Sequence, residues 1–273
     1  MALAALLFTV PLSSPSGAEA TAEPLSFKAR IGVFYAGFLV YSGSLDGRVG
    51  DGRYEVAYSA ETRGVLQLIV SMETRNEVVG LLRGGRFSAT SYRDRVRWRR
   101  KRSGVDVAFG PKGAVRTVAF PTFASRNRRA IPTDISRGAL DPLTTLISGM
   151  VIPGAAKPCT WRHRVYDGRR LFRLEFTNLG EERLRNDGLT FYRGNAIKCR
   201  VRFVKLADTS RKPAKSSKPD TLSGDRDEAT FWMARFKRPD IWLPVRGVGW
   251  SAVGPVRAGL TFFDIRPAGK KQR

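Results

Sequence analysis

Apolar and polar residues alternate with period two along much of the chain. Phe27, Ala29, Ile31 and Val33 alternate with Lys28, Arg30 and Gly32, and Tyr54, Val56, Tyr58 and Ala60 alternate with Arg53, Glu55, Ala57, Ser59 and Glu61. This is the pattern of a strand with one buried face. The same reasoning predicts strands over residues 36–44, 73–79, 87–93, 105–109, 115–119, 231–236 and 260–265. Asp46-Gly47, Asp51-Gly52, Gly84-Gly85 and Gly110-Pro111-Lys112-Gly113 read as the turns between them. Residues 241–246 read as an edge strand, because Pro244 cannot donate to a central ladder.

Other segments break the alternation. Residues 65–70 are nearly all apolar, which suits a fully buried strand or a short buried helix. Asp141-Pro142 has the form of an N-cap followed by Pro at the first helical position, and Leu143, Leu146, Ile147 and Met150 follow at helical spacing. One helix over residues 142–150 is predicted, placed to cover a sheet edge or a barrel end. Residues 126–138 read as a polar loop, and 207–228, rich in Ser, Lys, Pro and Asp, as an exposed one.

The only two cysteines, Cys159 and Cys199, bracket the clearest turn, Asp167-Gly168, which suits a type I′ hairpin. Lys198, Arg200 and Arg202 alternate with Cys199, Val201 and Phe203, so Cys199 is expected to point inward. A Cys159–Cys199 disulfide would close a loop of about 40 residues, worth roughly 4 kcal/mol in the chain-entropy model. With one histidine, His163, in the chain, no four-ligand zinc site is expected.

Composition narrows the setting. The 273 residues are 42% hydrophobic, enough for one large β domain with a real core. Ala2 to Val10 is an uncharged apolar run, and Ala18-Glu19-Ala20 has the form of a cleavage site, so residues 1–20 read as a secretion signal and 21–273 as the mature domain. No later run is long enough to span a membrane as a helix. Export implies an oxidising compartment, which favours the disulfide. The net charge of +24 gives a positive surface potential. Anionic lipid, lipopolysaccharide, an envelope polymer or an outer-membrane protein are then the candidate partners, and export makes nucleic acid a poor one.

The densest basic patch is 94–102. Read as one strand it puts Arg95, Arg97, Arg99 and Lys101 on one face and Val96 and Trp98 on the other, a candidate head-group contact. Phe231, Trp232, Trp242 and Trp250 are candidate walls of a ligand site. Catalytic signals are weak. Gly247-Val248-Gly249 lacks the following helix of a dinucleotide fingerprint, no Walker loop or nucleophile elbow occurs, and no cofactor is implied. Asp134 and Asp141 flank the predicted helix start, and such a pair could do acid–base work, although capping explains Asp141 better. A carboxylate-dependent hydrolase is the enzymatic alternative.

Four segments together resemble an exported bacterial family catalogued as domain of unknown function 3108. They are the meander over 27–60 with Gly32 and Gly37, the run Asp141-Pro142-Leu143-Thr144-Thr145-Leu146-Ile147, Asp167-Gly168 with its aromatic strand, and Phe231-Trp232-Met233-Ala234 through Pro244. Family members often carry a Pro shortly before the Tyr of the middle strand, where this chain has Ala89, Thr90 and Ser91 before Tyr92. The resemblance implies an exported envelope protein, mainly antiparallel β with a curved or barrel-like sheet, similar in plan to envelope-integrity β proteins of Gram-negative bacteria and so expected in the periplasm; it implies no activity. The overall expectation is a single sheet of roughly 12 to 14 strands around an apolar concavity where an anionic amphiphile would bind. A structural partner of peptidoglycan or of an outer-membrane assembly is the non-enzymatic alternative.

Overall fold

The computed structural model describes residues 24–126, 128–150, 158–209, 227–237, 240–251 and 254–268. The expected secretion signal lies outside the described residues, as do 210–226 of the expected loop.

Thirteen strands form one antiparallel sheet: β1 (Leu25–Tyr35), β2 (Phe38–Gly50), β3 (Arg53–Thr62), β4 (Met72–Arg83), β5 (Arg86–Trp98), β6 (Lys101–Phe109), β7 (Val115–Phe120), β8 (Arg162–Tyr166), β9 (Arg170–Leu184), β10 (Gly194–Asp208), β11 (Glu228–Lys237), β12 (Asp240–Ser251) and β13 (Gly254–Pro267). Their order is β7-β6-β5-β4-β3-β2-β1-β13-β12-β11-β10-β9-β8. The first and last strands therefore pair in the middle of the sheet, and the two ladder edges are β7 and β8.

The ladder does not close between those edges; side chains and a connecting segment do the joining. One row of cross-strand neighbours runs Ile265, Phe27, Gly47, Val56, Val78, Tyr92, Val107, Thr117. The Thr117 hydroxyl then meets the Tyr166 hydroxyl of β8 at 2.8 Å. The connecting segment bridges the same gap. Gly138 donates to the Gly113 carbonyl beside β7, and Leu140 exchanges backbone hydrogen bonds with Arg164 and Tyr166 of β8. Both exposed edges are thus partly blunted, as open edges require.

Besides two 3-10 turns, Pro111–Gly113 and Ala124–Arg126, three α-helical segments interrupt the strands: α1 (Val65–Ile69), α2 (Thr133–Ser136) and α3 (Pro142–Met150). The α3 bounds match the predicted helix. Asp141 Oδ1 accepts the backbone N–H groups of Leu143 and Thr144 at 3.0 and 2.9 Å, an N-cap. The helix packs on the concave side of the sheet, against β4, β5, β8 and β12. Leu143, Ile147 and Met150 join the main core with Tyr54, Val78, Tyr92 and Leu243.

Several expectations change. Gly47 lies inside β2 and makes no turn; a Cβ there would meet the Phe27 ring at 2.2 Å, so the glycine makes room for an aromatic ring. Residues 65–70 are no buried element: α1 leaves Leu68 and Ile69 exposed. The polar loop contains α2, so the described residues hold three α-helical segments where one helix was expected. Asp167 does not itself turn. Its backbone N–H bonds the Arg170 carbonyl and its Oδ1 accepts from the Arg169 and Arg170 N–H groups, so Gly168, at φ 84°, opens the two-residue loop and the turn is not type I′. The expected loop 207–228 begins and ends in strand, since β10 runs to Asp208 and β11 starts at Glu228. Finally, β12 lies between β11 and β13, not at an edge. Only Arg246 to Ser251 pair with β13, however, and Pro244 stands at a register shift against β11, where its missing N–H disturbs no ladder.

Candidate functional site

The expected open concavity is largely filled. Sheet side chains and α3 occupy it, and Tyr54 on β3 reaches the Thr144 hydroxyl of α3 at 2.7 Å. What remains is an apolar cavity of about 280 Å³ on the other side of the helix, lined among others by Leu146, Met150, Trp161, Phe176, Phe231 and Met233. Trp161 packs on Phe176 with ring centroids 3.7 Å apart, and Phe176 meets Phe231 edge-on at 5.8 Å. Cys159 also borders this cavity. Its sulfur lies 2.00 Å from that of Cys199, the Cα atoms 5.9 Å apart, and both residues are buried beside Met233.

The tryptophans do not converge. Trp232 is buried, with Lys198 and Arg246 over its ring at 5.5 and 5.0 Å. Trp242 packs with the cystine cluster under Arg235. Trp250 is half exposed beside the β12–β13 turn. Of the four expected wall aromatics, only Phe231 lines the apolar cavity. Trp161 and Phe176, its other aromatic walls, were missed. Phe172, Leu174 and Phe176 alternate with Arg173 and Glu175 after Asp167-Gly168, which marks an apolar face, but nothing local says that α3 will face Phe176.

The basic patch is also rearranged. Strand β5 ends at Trp98, Arg99 and Arg100 turn the chain, and Lys101 opens β6 opposite Trp98. Arg99 therefore leaves the row of Arg95 and Arg97; it adopts φ 53° and donates from Nη2 to the Ile69 carbonyl at 2.9 Å. Its side chain is occupied with α1.

Arg95 and Arg97 line a depression of about 840 Å³ on the outer face of the first half of the sheet. Four more arginines border it, Arg30, Arg63, Arg75 and Arg102, together with Ser42, Ser44, Ser59 and the exposed Phe120, against two carboxylates, Glu61 and Glu73. Register explains the gathering. Residues 30, 44, 59, 75 and 95 are successive cross-strand neighbours, so one outward row collects polar side chains from five strands. Some charges are held locally. Arg95 makes a bidentate pair with Asp106 at 2.8 Å, Arg97 pairs with Glu73, and Arg63 with Glu61. Partial burial of Asp106 works against its ionisation, but the hydrogen bonds from Arg95 and Arg93 outweigh it and hold the carboxyl below its usual range. Arg30 rests over the Phe262 ring at 5.3 Å, and neither it nor Arg102 has a carboxylate partner among the described residues.

Asp134 and Asp141 form no exposed pair, whereas Glu61 and Glu73 stand opposite each other on β3 and β4 at the depression, each held by an arginine. Asp141 is buried as the helix cap, and burial raises its pKa against the hydrogen bonds from Thr144 and Leu143. Asp134 sits in the first turn of α2. Asp94 is raised by burial, offset by Arg169 and by the Asn76 amide, which donates to it at 2.9 Å and to Tyr92 at 2.9 Å. His163 is half-buried against Trp161 at 4.7 Å, and burial lowers its pKa. Among the described residues no group of three or more His, Cys, Asp or Glu is arranged to hold a metal ion.

A family model described as "Protein of unknown function (DUF3108)" matches residues 26–261. The chain belongs to the DUF3108 family. Apart from Leu25, strands β1 to β12 fall within the match, as does β13 as far as residue 261. Among solved structures it is similar to the crystal structure of a beta-barrel-like protein of domain of unknown function DUF1849 from Brucella abortus, at 9% sequence identity and a TM-score of 0.45, over 89% of this chain and 98% of that one. No curated protein matches it. Among the described residues no helix of this DUF3108 protein is long and apolar enough to cross a membrane.

Proposed function

We propose that this DUF3108 protein is an exported, non-enzymatic protein of the Gram-negative envelope that binds an anionic amphiphile, a lipid or lipopolysaccharide, by its head group. The observation that carries this reading is the outer depression, where six arginines face two glutamates around a serine-lined floor. Guanidinium groups give planar, bidentate hydrogen bonding to phosphate. Arg30 and Arg102 supply charge that no carboxylate among the described residues takes up, and Phe120 offers an apolar contact beside it. The ligand site of this reading is outside the sheet, because α3 occupies the concavity.

The test is calorimetric titration of the mature protein with dihexanoyl phosphatidylglycerol below its micelle concentration, with dihexanoyl phosphatidylcholine as the neutral control. The expected result is binding of the anionic lipid alone, weakening with salt. Arg102→Glu should reduce the affinity about tenfold, the order of one charge-assisted contact. Equal binding of both lipids, or of neither, overturns the reading.

A further inference from the structure

The exposed large apolar residues are not scattered. Of the seven that are at least half exposed, six lie toward one end of the sheet: Phe38 (74%), Leu68 (87%), Ile69 (62%), Trp98 (52%), Phe120 (66%) and Trp250 (50%). Topology puts them there. The β1–β2 turn, the α1 crossover between β3 and β4, the β5–β6 turn, the last residues of β7 and the β12–β13 turn all fall at the same end of antiparallel strands. Contacts join them into one rim. Tyr35 packs beside Gly254 of the β12–β13 turn, Leu39 lies under Gly64 at the start of α1, and Arg99 reaches from the β5–β6 turn to the Ile69 carbonyl.

Charge follows the same rim. Arg63, Arg99, Arg100, Lys101 and Arg102 interleave with these apolar side chains, and stretches 34–42, 62–72, 98–102 and 250–255 contain no Asp or Glu. At the opposite end of β1 to β7 the turns are Asp51-Gly52, Gly84-Gly85 and Pro111-Lys112-Gly113, and none of the exposed large apolar residues falls in them; the β9–β10 connection beyond them carries the exposed Phe191. Both ends carry cations, and the apolar residues that are at least half exposed gather toward one of them.

We infer that this rim docks the protein on the surface of an anionic bilayer. Phe38, Leu68, Ile69, Trp98 and Trp250 enter the interfacial layer, and Arg100, Lys101 and Arg102 lie against lipid phosphates. Aromatic residues with an apolar body and a polar edge favour that layer, and basic residues beside them add attraction to anionic lipid. The side chains project from separate turns, and Trp98, Arg99, Arg100 and Lys101 border a further depression of about 540 Å³ whose basic lining suits a phosphate head group. The depression opens just below: Arg63, Arg97, Arg102 and Phe120 belong to its lining. The inference deepens the function proposed above and takes its class of ligand from it.

The experiment is flotation of the mature protein with vesicles of phosphatidylglycerol and phosphatidylcholine at 3:7, against vesicles of phosphatidylcholine alone, an order-of-magnitude charge contrast of the kind that attracts basic segments. The wild type is expected to float with the anionic vesicles. The variant Phe38→Ser/Leu68→Ser/Ile69→Ser is expected to float about tenfold less while its melting temperature and its binding of soluble dihexanoyl phosphatidylglycerol stay unchanged. Trp98→Ala is the second variant, expected to act the same way. Arg86→Gln at the opposite end is expected to have no effect on flotation. Undiminished flotation of the rim variants overturns the inference. So does a wild type that fails to float but is a dimer in solution, broken by the rim variants. If vesicles bind through the rim while soluble lipid does not bind at all, the rim stands and the depression fails as the head-group site.

Discussion

Helices α1 and α3 are both short and apolar, and they meet opposite fates. The α3 helix begins on the capping carboxylate of Asp141, buries Leu143, Thr144, Ile147 and Met150, and is tied to β3 through Thr144 and Tyr54. The α1 helix begins at Gly64 with no side-chain cap and leaves Gln67, Leu68 and Ile69 exposed. A five-residue helix has no stability of its own in water. It persists because the chain around it is fixed: Arg63 donates to the Val40 carbonyl, Val70 to that of Leu66, and Arg99 to that of Ile69. The difference teaches that in this protein apolar sequence serves two ends. Behind the sheet it stabilises the fold, and at the rim it costs solubility without adding to the core, which marks a contact surface.

That comparison can be broken by substitutions on either helix. The largest effect is expected from Ile147→Ala. Removing its buried side chain should lower the unfolding free energy by about 2–5 kcal/mol, by lost transfer free energy and the cavity left behind. Urea denaturation measures it, and vesicle flotation of the folded protein should be unchanged. A loss below about 1 kcal/mol, which cores of this packing seldom show, would mean that α3 is not part of the core.

A smaller effect is expected at the cap. Asp141→Ala should cost about 0.5–2 kcal/mol, because two helix N–H groups lose their acceptor. Asp141→Asn keeps an acceptor and removes the charge. Burial raises the folded-state pKa of Asp141 above its unfolded value, so the folded protein holds that proton more tightly. Stability from this group is therefore full below the unfolded pKa and is lost as pH rises from about 4 toward the folded value. The Asn variant should gain on the wild type across that window, measured by urea unfolding at successive pH values. A constant difference would show that Asp141 ionises as freely folded as unfolded. Asp94, also raised by burial, keeps its own contribution in both proteins.

The smallest effect on stability belongs to the rim. Leu68→Ser should change the unfolding free energy by no more than about 0.5 kcal/mol, as exposed substitutions do. A loss of about 2 kcal/mol, the size of a buried leucine's transfer, would place Leu68 in a buried contact and remove the contrast between the two helices.

Much of this was legible along the chain, for physical reasons that can be named. Alternation in β1 and β3 reports a half-buried strand directly, because side chains of a pleated backbone must face opposite ways. The cap-and-proline start of α3 is equally local, since its partners are its own N–H groups. Other features were hidden because the deciding partner is remote in sequence. Gly47 looks like a turn residue until Phe27 is laid across it. Arg99 looks like one of a row until the chain turns at it, and Pro244 looks like an edge until a register shift accommodates it.

By itself, then, the sequence determined the β class, the capped helix, the positive surface and the resemblance to a family. The tertiary structure alone decided which apolar residues are buried. Alternation says that a strand has two faces but not what covers either one, and the covering groups are brought in by strand order. Antiparallel pairing of β1 with β13 gathered distant turns into one rim. The long connection between β7 and β8 carried α3 into the concavity, so the space that was expected to hold a ligand holds Leu143, Ile147 and Met150 instead.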